Sequence, residues 1–332
     1  MNKLLFIILL ELFLILFLFY PSFETFQNDI PIDIVYTWVN GDDPNWINQK
    51  QQFLNKDILK PENLRYKNIN ELKYSLRSIQ KYAPWVRNIF IVVDDIQKPD
   101  FVSDKIKIIK HSQIIPQKYL PTFNSHVIEA NLHKIPNLSK YFLYFNDDNF
   151  LGSPLSKNEL LSPNGKPYYF PAKLPLNGYF SIGHGFCSWI MAWENNYHIL
   201  KKMFPNKKIP GMWHQAVLID KTQMSELQNK LHFQYHQTCR NKFRNYNDTA
   251  FIGLCYLYQY LNNQAVLGEK PTNEFLDFQY SCQNKLKKQL DKIKKNKIKF
   301  YCLNNIKQDD KIVPEVLSFL NEMYSKKSQY EK

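Results

Sequence analysis

With 332 residues the chain has room for one large or two modest domains and a sizeable core. It holds only 9 glycines and neither GxGxxG nor GxxxxGKS/T, so a nucleotide would have to be held by side chains and a metal rather than a glycine loop. The net charge is +13, and much of it lies between Lys285 and Lys299. Leu286, Leu290 and Ile293 recur there at helical spacing with no aromatic residue between the lysines, which predicts a helix with a solvated basic face and argues against nucleic acid as a partner.

In chain order, Leu4–Tyr20 is apolar except for Glu11, follows Lys3 and ends at Pro21. It has about the shortest length that spans a bilayer. No small-residue cleavage site follows, so a retained signal anchor over residues 1–22 is expected, with a cytoplasmic N-terminus and a catalytic part over 23–332. Ile32–Val39 reads as a buried strand running into the turn Asn40-Gly41-Asp42-Asp43-Pro44, with Pro44 placed to start a helix. Asn70–Tyr82 predicts a helix with Leu72, Leu76 and Ile79 as its apolar stripe and Arg77 among neutral residues. Asn88–Asp95 is a strand ending in Asp94 and Asp95, and Lys105–Lys110 a short fourth strand.

Ser125 is placed as the N-cap of a helix over Val127–His133. Tyr141–Phe145 then forms a strand that stops at Asn146-Asp147-Asp148-Asn149. Adjacent carboxylates at a strand end repel each other and persist most easily beside a cation, and hard oxygen ligands there suit Mg²⁺ or Mn²⁺ holding a phosphate. Leu174–Gly185 reads as a connector. Helices are expected over Phe186–Phe204, Trp213–Leu231, with His214 and Asp220 inside it, and Thr249–Leu261. A short strand at Phe300–Leu303 and an amphipathic helix at Val313–Met323 close the chain. Strands ending in acids, with helices between them, predict an α/β fold with a mainly parallel central sheet, a polar site along its carboxyl edge and a helical C-terminal half packed on it. Asp33, Asp94 and Asp148 are all expected toward that edge. The five cysteines show no zinc spacing and leave the disulfides open.

The residues resemble the Stealth family of sugar-phosphate transferases, which includes bacterial capsule polysaccharide phosphotransferases and the α/β subunit of lysosomal-enzyme N-acetylglucosamine-1-phosphotransferase. The match begins at IDIVYTWVNGDDPNW, Ile32–Trp46. It continues through RYKNINELKYSLRSIQKYAPWVRNIFIVVDD and LPTFNSHVIEANLHKIPNLSKYFLYFNDDNFLG. HQAVLID and RNYNDTAF, within His214–Phe251, follow, and then KFYCLNN and the tail YSKKSQYE. Two positions depart from the pattern: Asn305 stands where the family has Asp, and Ala216 where it has Pro.

The resemblance implies a fold like the GT-A or Rossmann-like nucleotide-sugar transferases. It also implies transfer of hexose-1-phosphate, typically N-acetylglucosamine-1-phosphate, from a UDP-sugar to a hydroxyl of an acceptor glycan, with release of UMP. Carried onto this sequence, it implies Asp148, His214 and Arg244 as catalytic residues. Asp33, Trp38, Asn40, Arg77 and Asn124 fall on the donor side, and Asp147, Asp148 and Asn305 on Mg²⁺ or Mn²⁺. The competing expectations are a UDP-sugar glycosyltransferase that releases UDP, and a non-catalytic, membrane-tethered glycan-binding protein. A homodimer is left open. A eukaryotic chain would work in the Golgi lumen, a bacterial one at the cytoplasmic face of the membrane.

Overall fold

The computed structural model describes residues 30–54, 66, 69–172, 188–269, 271–277, 283–304 and 312–332. The expected anchor and the connector at Leu174–Gly185 lie outside these residues. Among the described residues no helix is long and apolar enough to cross a membrane.

β1 (Ile32–Thr37) is buried almost throughout, as a strand covered on both faces must be. The turn after it needs Gly41, because a Cβ there would lie 2.1 Å from the carbonyl oxygen of Tyr66. α1 (Pro44–Gln52) starts where Pro44 can sit without a donor, and Asp43 caps it by accepting from the amides of Asn45 and Trp46. α2 (Glu71–Tyr82) lays Leu72, Leu76 and Ile79 onto the sheet. β2 (Ile89–Val93) and β3 (Ile106–Lys110) follow, and α3 (His111–Ile114) begins at the end of β3.

Next come α4 (Ser125–Glu129), β4 (Tyr141–Asn146), β5 (Asn149–Leu151) and β6 (Tyr168–Tyr169). α4 differs from expectation. Asn124 is its N-cap, accepting from the His126 amide at 3.0 Å, and the helix gives way to a 3₁₀ turn at Leu132–Lys134. α5 (Ser188–Met203) agrees with its expected span. The helix expected over Trp213–Leu231 is instead β7 (Val217–Asp220) followed by α6 (Lys221–Lys230). The apolar run Val217-Leu218-Ile219 pairs antiparallel with β4, and the Asp220 carboxylate caps α6 through the Thr222 amide. α7 (His232–Arg240) and α8 (Phe251–Leu261) complete the layer beneath the sheet. α8 is buried almost all round, as its sequence FIGLCYLYQYL requires.

The central sheet has the order β3-β2-β1-β4-β7, and every pair except β4–β7 is parallel. Ile32–Thr37 and Tyr141–Asn146 are direct neighbours, as expected of one sheet. Alternate residues face opposite layers: Ile34 and Tyr36 pack with α2, whereas Val35, Phe142 and Tyr144 pack with α6 and α8.

The remaining elements are β8 (Val266–Leu267), β9 (Asn273–Asp277), α9 (Gln283–Lys295), β10 (Phe300–Asn304) and α10 (Ile312–Met323). β5, β10 and β9 form a second, smaller sheet backed by α9 and α10. The basic helix behaves as its pattern indicates. Leu286, Leu290 and Ile293 are buried, while Lys292 and Lys294 pair with Glu274 and Glu322 at the surface.

Candidate active site

The strand order places β1 and β4 side by side with the chain departing from them in opposite directions, so the carboxyl ends of β1 and β4 flank a switch point where open α/β sheets bind ligands. Trp38 and Asn40 end β1, and Asn146, Asp147 and Asp148 end β4. The Asn-Asp-Asp turn is also the seam between the two sheets. β5 leaves it immediately and pairs with β10, and the Leu303 amide donates to the Asp148 carbonyl at 3.0 Å.

Asp148 holds its side chain through Asn149 Nδ2 on Oδ1 and Asn304 Nδ2 on Oδ2, each at 3.2 Å. Because β7 runs antiparallel to β4, the residues just before β7 arrive at the same edge. His214 is therefore an exposed loop residue rather than a helical one, set edge-on to Phe275 at 5.1 Å. One ligand atom from each of Asp148, His214 and Cys302 lies within 4.8 Å of the other two.

Glu71, at the start of α2, completes the acidic centre. Its carboxylate accepts from the Ile69 amide at 2.7 Å, yet burial and then Asp148 push its pKa up to about 7. Burial, Glu71 and Asp148 raise Asp147 well above the usual carboxylate range. Asp148 is raised by burial, against the opposing pull of His214, Cys302 and Asn304. Burial lifts all three, and Asp148 further lifts Glu71 and Asp147, so the place is one suited to a cation. Asp148, with His214 and Cys302, brings possible ligand atoms together, and its oxygens and those of Asp147 are the hard donors that Mg²⁺ or Mn²⁺ would take. The imidazole and thiol nearby favour Mn²⁺ over Mg²⁺ among those two, although burial and Asp148 keep the Cys302 thiol protonated by raising its pKa.

Arg244 reaches the edge from the loop before α8. Its Nε and Nη2 both donate to Ser125 Oγ, at 3.1 and 2.6 Å. It acts electrostatically on the Tyr144 hydroxyl, which donates to Asn146 Oδ1 at 2.7 Å. Asn124 fixes this loop from inside: it is fully buried and donates to the carbonyls of Asn241 and Phe243 and to Asp248 Oδ2. The Asp248 carboxylate also accepts from the Asn245 amide and meets His126 Nδ1 at 3.1 Å. Phe123 stacks on Phe243 and meets Trp46 edge-on, which ties the loop to α1.

The remaining residues expected at the site are spread differently. Trp38 is buried just after β1, and its Nε1 is enclosed with no acceptor among the described residues. Asn40 is braced to Gln97 in both directions, at 3.1 and 2.7 Å. Asp33 is not at the carboxyl edge. It lies near the amino end of β1, opposite Phe142, where Arg87 grips it at 2.8 and 2.6 Å and Asn88 and the Ser139 amide complete its shell. Arg77 sits about a turn and a half beyond Glu71 on α2. It clasps the C-terminal tail, with two 2.8 Å bonds to Glu331 and one of 3.0 Å to the Tyr324 carbonyl. Asn305 lies outside the described residues. Glu71, Ser125, Cys302 and Asn304 were not expected at the site from the sequence, Ser125 having been placed only as a helix cap. Cys302 and Asn304 stand in a quoted motif, which was the available signal, whereas Glu71 reads as an ordinary first-turn acid of a helix.

A mainly parallel α/β sheet with crowded acids, a histidine and a guanidinium near its switch point makes this edge the candidate active site. Stealth conserved regions 1 and 2 match residues 31–57 and 65–169. Capsular polysaccharide phosphotransferase fcs1 of Haemophilus influenzae is 36% identical over 288 residues, 83% of this chain and 78% of that one. A capsular polysaccharide phosphotransferase of Neisseria meningitidis serogroup B is 39% identical over 234 residues, 67% of this chain and 62% of that one. An exopolysaccharide phosphotransferase of Streptomyces coelicolor is 33% identical over 267 residues, 76% of this chain but 43% of that one, so the chain spans less than two thirds of these last two relatives. Mouse xyloside xylosyltransferase 1 in its apo form aligns too loosely to carry an argument, with a TM-score of 0.36 and 10% identity over 83% of this chain and 97% of that one. The chain belongs to the Stealth family and is an enzyme of the transferase class.

Proposed function

We propose that this chain transfers a hexose-1-phosphate, N-acetylglucosamine-1-phosphate first among the candidates, from a UDP-sugar to a hydroxyl of an acceptor glycan, so that a phosphodiester forms and UMP leaves. The observation that supports this reading is the meeting of Asp148 with His214 beyond the end of β4, with Arg244 acting on Tyr144 of the same strand. Relatives named as capsular or exopolysaccharide phosphotransferases support the glycan acceptor.

In this reading Trp38, just after β1, lies on the side of the nucleoside. Asp147 and Asp148 would hold Mg²⁺ or Mn²⁺, which when bound neutralises charge on the diphosphate. Asp148 or His214 takes the proton from the acceptor hydroxyl as its oxygen bonds to phosphorus. The bond from phosphorus to the bridging oxygen breaks, and UMP departs with the electron pair. Arg244, aimed by Ser125, donates paired hydrogen bonds to the phosphoryl oxygens, where lysine would present only a point charge. Leu4–Tyr20 would tether the enzyme to a membrane.

A UDP-sugar labelled in its β-phosphate tests the reaction. Label in the glycan with UMP released is expected. Label retained on UDP, with the sugar transferred alone, would make the protein a glycosyltransferase and overturn the proposal.

A further inference from the structure

Among the described residues the small sheet β5-β10-β9 ends at β9, whose successive side chains point to opposite faces. Glu274 and Leu276 turn toward α9. Leu276 is fully buried with Leu286, Leu290 and Ile293, and Glu274 pairs with Lys292 at 2.6 Å. Phe275 therefore points the other way. Its partner in the parallel register is Cys302, so these two side chains share a face. Cys302 is fully buried there beside Asp148 and His214, whereas Phe275 is 43% exposed. The face of this sheet that borders the reaction edge thus ends in an apolar ring open to solvent.

A single exposed apolar side chain is ordinary on a protein surface, and Phe233 of α7 is an example. Phe275 differs in what it touches. Its ring centre lies 5.1 Å from that of His214, with the two planes at 72°. His214 in turn brings a ring nitrogen within 4.8 Å of ligand atoms of Asp148 and Cys302. An uncharged, flat group therefore stands one ring away from the proposed base, where a reacting hydroxyl has to arrive.

A sugar supplies what such a ring takes up. A pyranose presents C–H bonds on its faces and hydroxyls at its rim. Those hydrogens carry partial positive charge and meet the negative face of an aromatic ring, and the contact removes apolar surface of both from water. A nucleobase is also flat, but its proposed side is that of Trp38, after β1. His214 precedes β7, the strand on the opposite side of β4. We infer that Phe275 is the platform of the acceptor subsite: the terminal sugar of the glycan stacks on its ring and turns its hydroxyl toward His214 and Asp148. The inference rests on the proposed phosphotransfer and adds where the acceptor lies.

Saturation-transfer NMR on the full chain, with short N-acetylglucosamine oligosaccharides as probes, reads the platform without turnover. Saturation should fall mainly on the C–H protons of one face of the terminal sugar. It should be lost in Phe275→Ala, kept in Phe275→Trp, and unchanged in Phe233→Ala and on addition of UMP. Equal signals in the enzyme and in Phe275→Ala, no signal from any of the oligosaccharides, or displacement by UMP would overturn the inference. In turnover on the same oligosaccharides, Phe275→Ala should raise the acceptor KM by about tenfold, the scale of one stacked ring, while the donor KM moves little. Phe275→Tyr should restore the acceptor KM. A fall in kcat with the acceptor KM unmoved would make Phe275 a support for the His214 ring and overturn the platform. β-Phosphate label retained on UDP, with the NMR signal present, would defeat the transfer reaction and uphold the platform, so the two failures are distinguished.

Discussion

The two ends of the central sheet treat carboxylates in opposite ways. At the amino end, Asp33 is fully buried, yet Arg87, Asn88 and Ser139 satisfy it. Burial alone would raise its pKa, and these partners instead hold it below the usual range. At the carboxyl end, Asp147, Asp148 and Glu71 crowd together with amides, an imidazole and a thiol but, among the described residues, no ion-paired cation, and all three are raised. A satisfied buried acid fastens the fold, whereas an unsatisfied cluster at a switch point is held by the fold for something that arrives later. The same contrast separates the two arginines expected to bind donor or phosphate. Arg77 is committed to Glu331 and the C-terminal tail, while Arg244 is aimed by the Ser125 hydroxyl beside the strand ends.

The contrast breaks most clearly at Asp148. Asp148→Asn should reduce turnover by roughly a thousandfold, the scale of a lost general base or of a group that places the reacting charge, while the melting temperature holds or rises because a repulsion is removed. A variant that keeps its turnover would return the Asn-Asp-Asp turn to a plain connection. At the other end, Arg87→Ala should leave turnover per folded molecule intact and strand Asp33 without its cation. A loss of about 2 to 3 kcal/mol in urea unfolding is expected, below the range for a fully buried pair because the Arg87 side chain is 42% exposed. Activity lost without stability would move Asp33 back to the donor site.

Arg244→Lys sharpens the comparison between the two guanidiniums. Arg244 should matter mainly when charge develops on the transferred phosphoryl group, so kcat falls by roughly a hundredfold while the donor's KM moves little. The matching change Arg77→Lys should lower the melting temperature and spare kcat. If both variants lose the same parameter, the division between clasp and clamp is wrong.

Much of this was legible in the sequence, and what was not has a common cause. Apolar runs at Ile32–Thr37, Ile89–Val93 and Tyr141–Phe145 announce the parallel strands, and the Asn-Asp-Asp ending of the third marks the candidate edge. β7 was missed because the surrounding residues also satisfy helical spacing, and a four-residue apolar run is too short to decide between the two. Its antiparallel pairing with β4, which moves His214 from a helix to a loop at the carboxyl edge, is a tertiary choice. Asp33 was misplaced because its partner Arg87 lies in another loop, brought near only when β1 and β2 pair. Glu71 and Cys302 join Asp148 from opposite ends of the chain, and local pattern carries no trace of such a meeting.

His111 offers a third way to handle charge at this sheet, and its expected effect is the smallest. It follows β3 at the carboxyl edge, is 4% exposed, and neither ring nitrogen has a hydrogen-bond partner among the described residues. Asp94 lies 3.9 Å away, too far to bond, and Asp95 and Lys110 act on the ring with opposite signs. Burial dominates and lowers its pKa to about 4, so His111 is neutral in the folded protein at ordinary pH. Unfolded chain takes up that proton near the ordinary value of about 6.5. Between these two values the unfolded state binds more protons, so stability falls as pH drops through the window, by on the order of 1 kcal/mol per pH unit from this residue. His111→Phe should flatten the slope by about that amount. It should cost little at neutral pH, because the polar atoms it removes have no partners to strand. His133, also lowered to about 4 by burial, remains in the variant and sets the residual slope. An unchanged slope in the variant would mean that His111 is reached by water in solution, and that this corner of the edge is more open than its packing indicates.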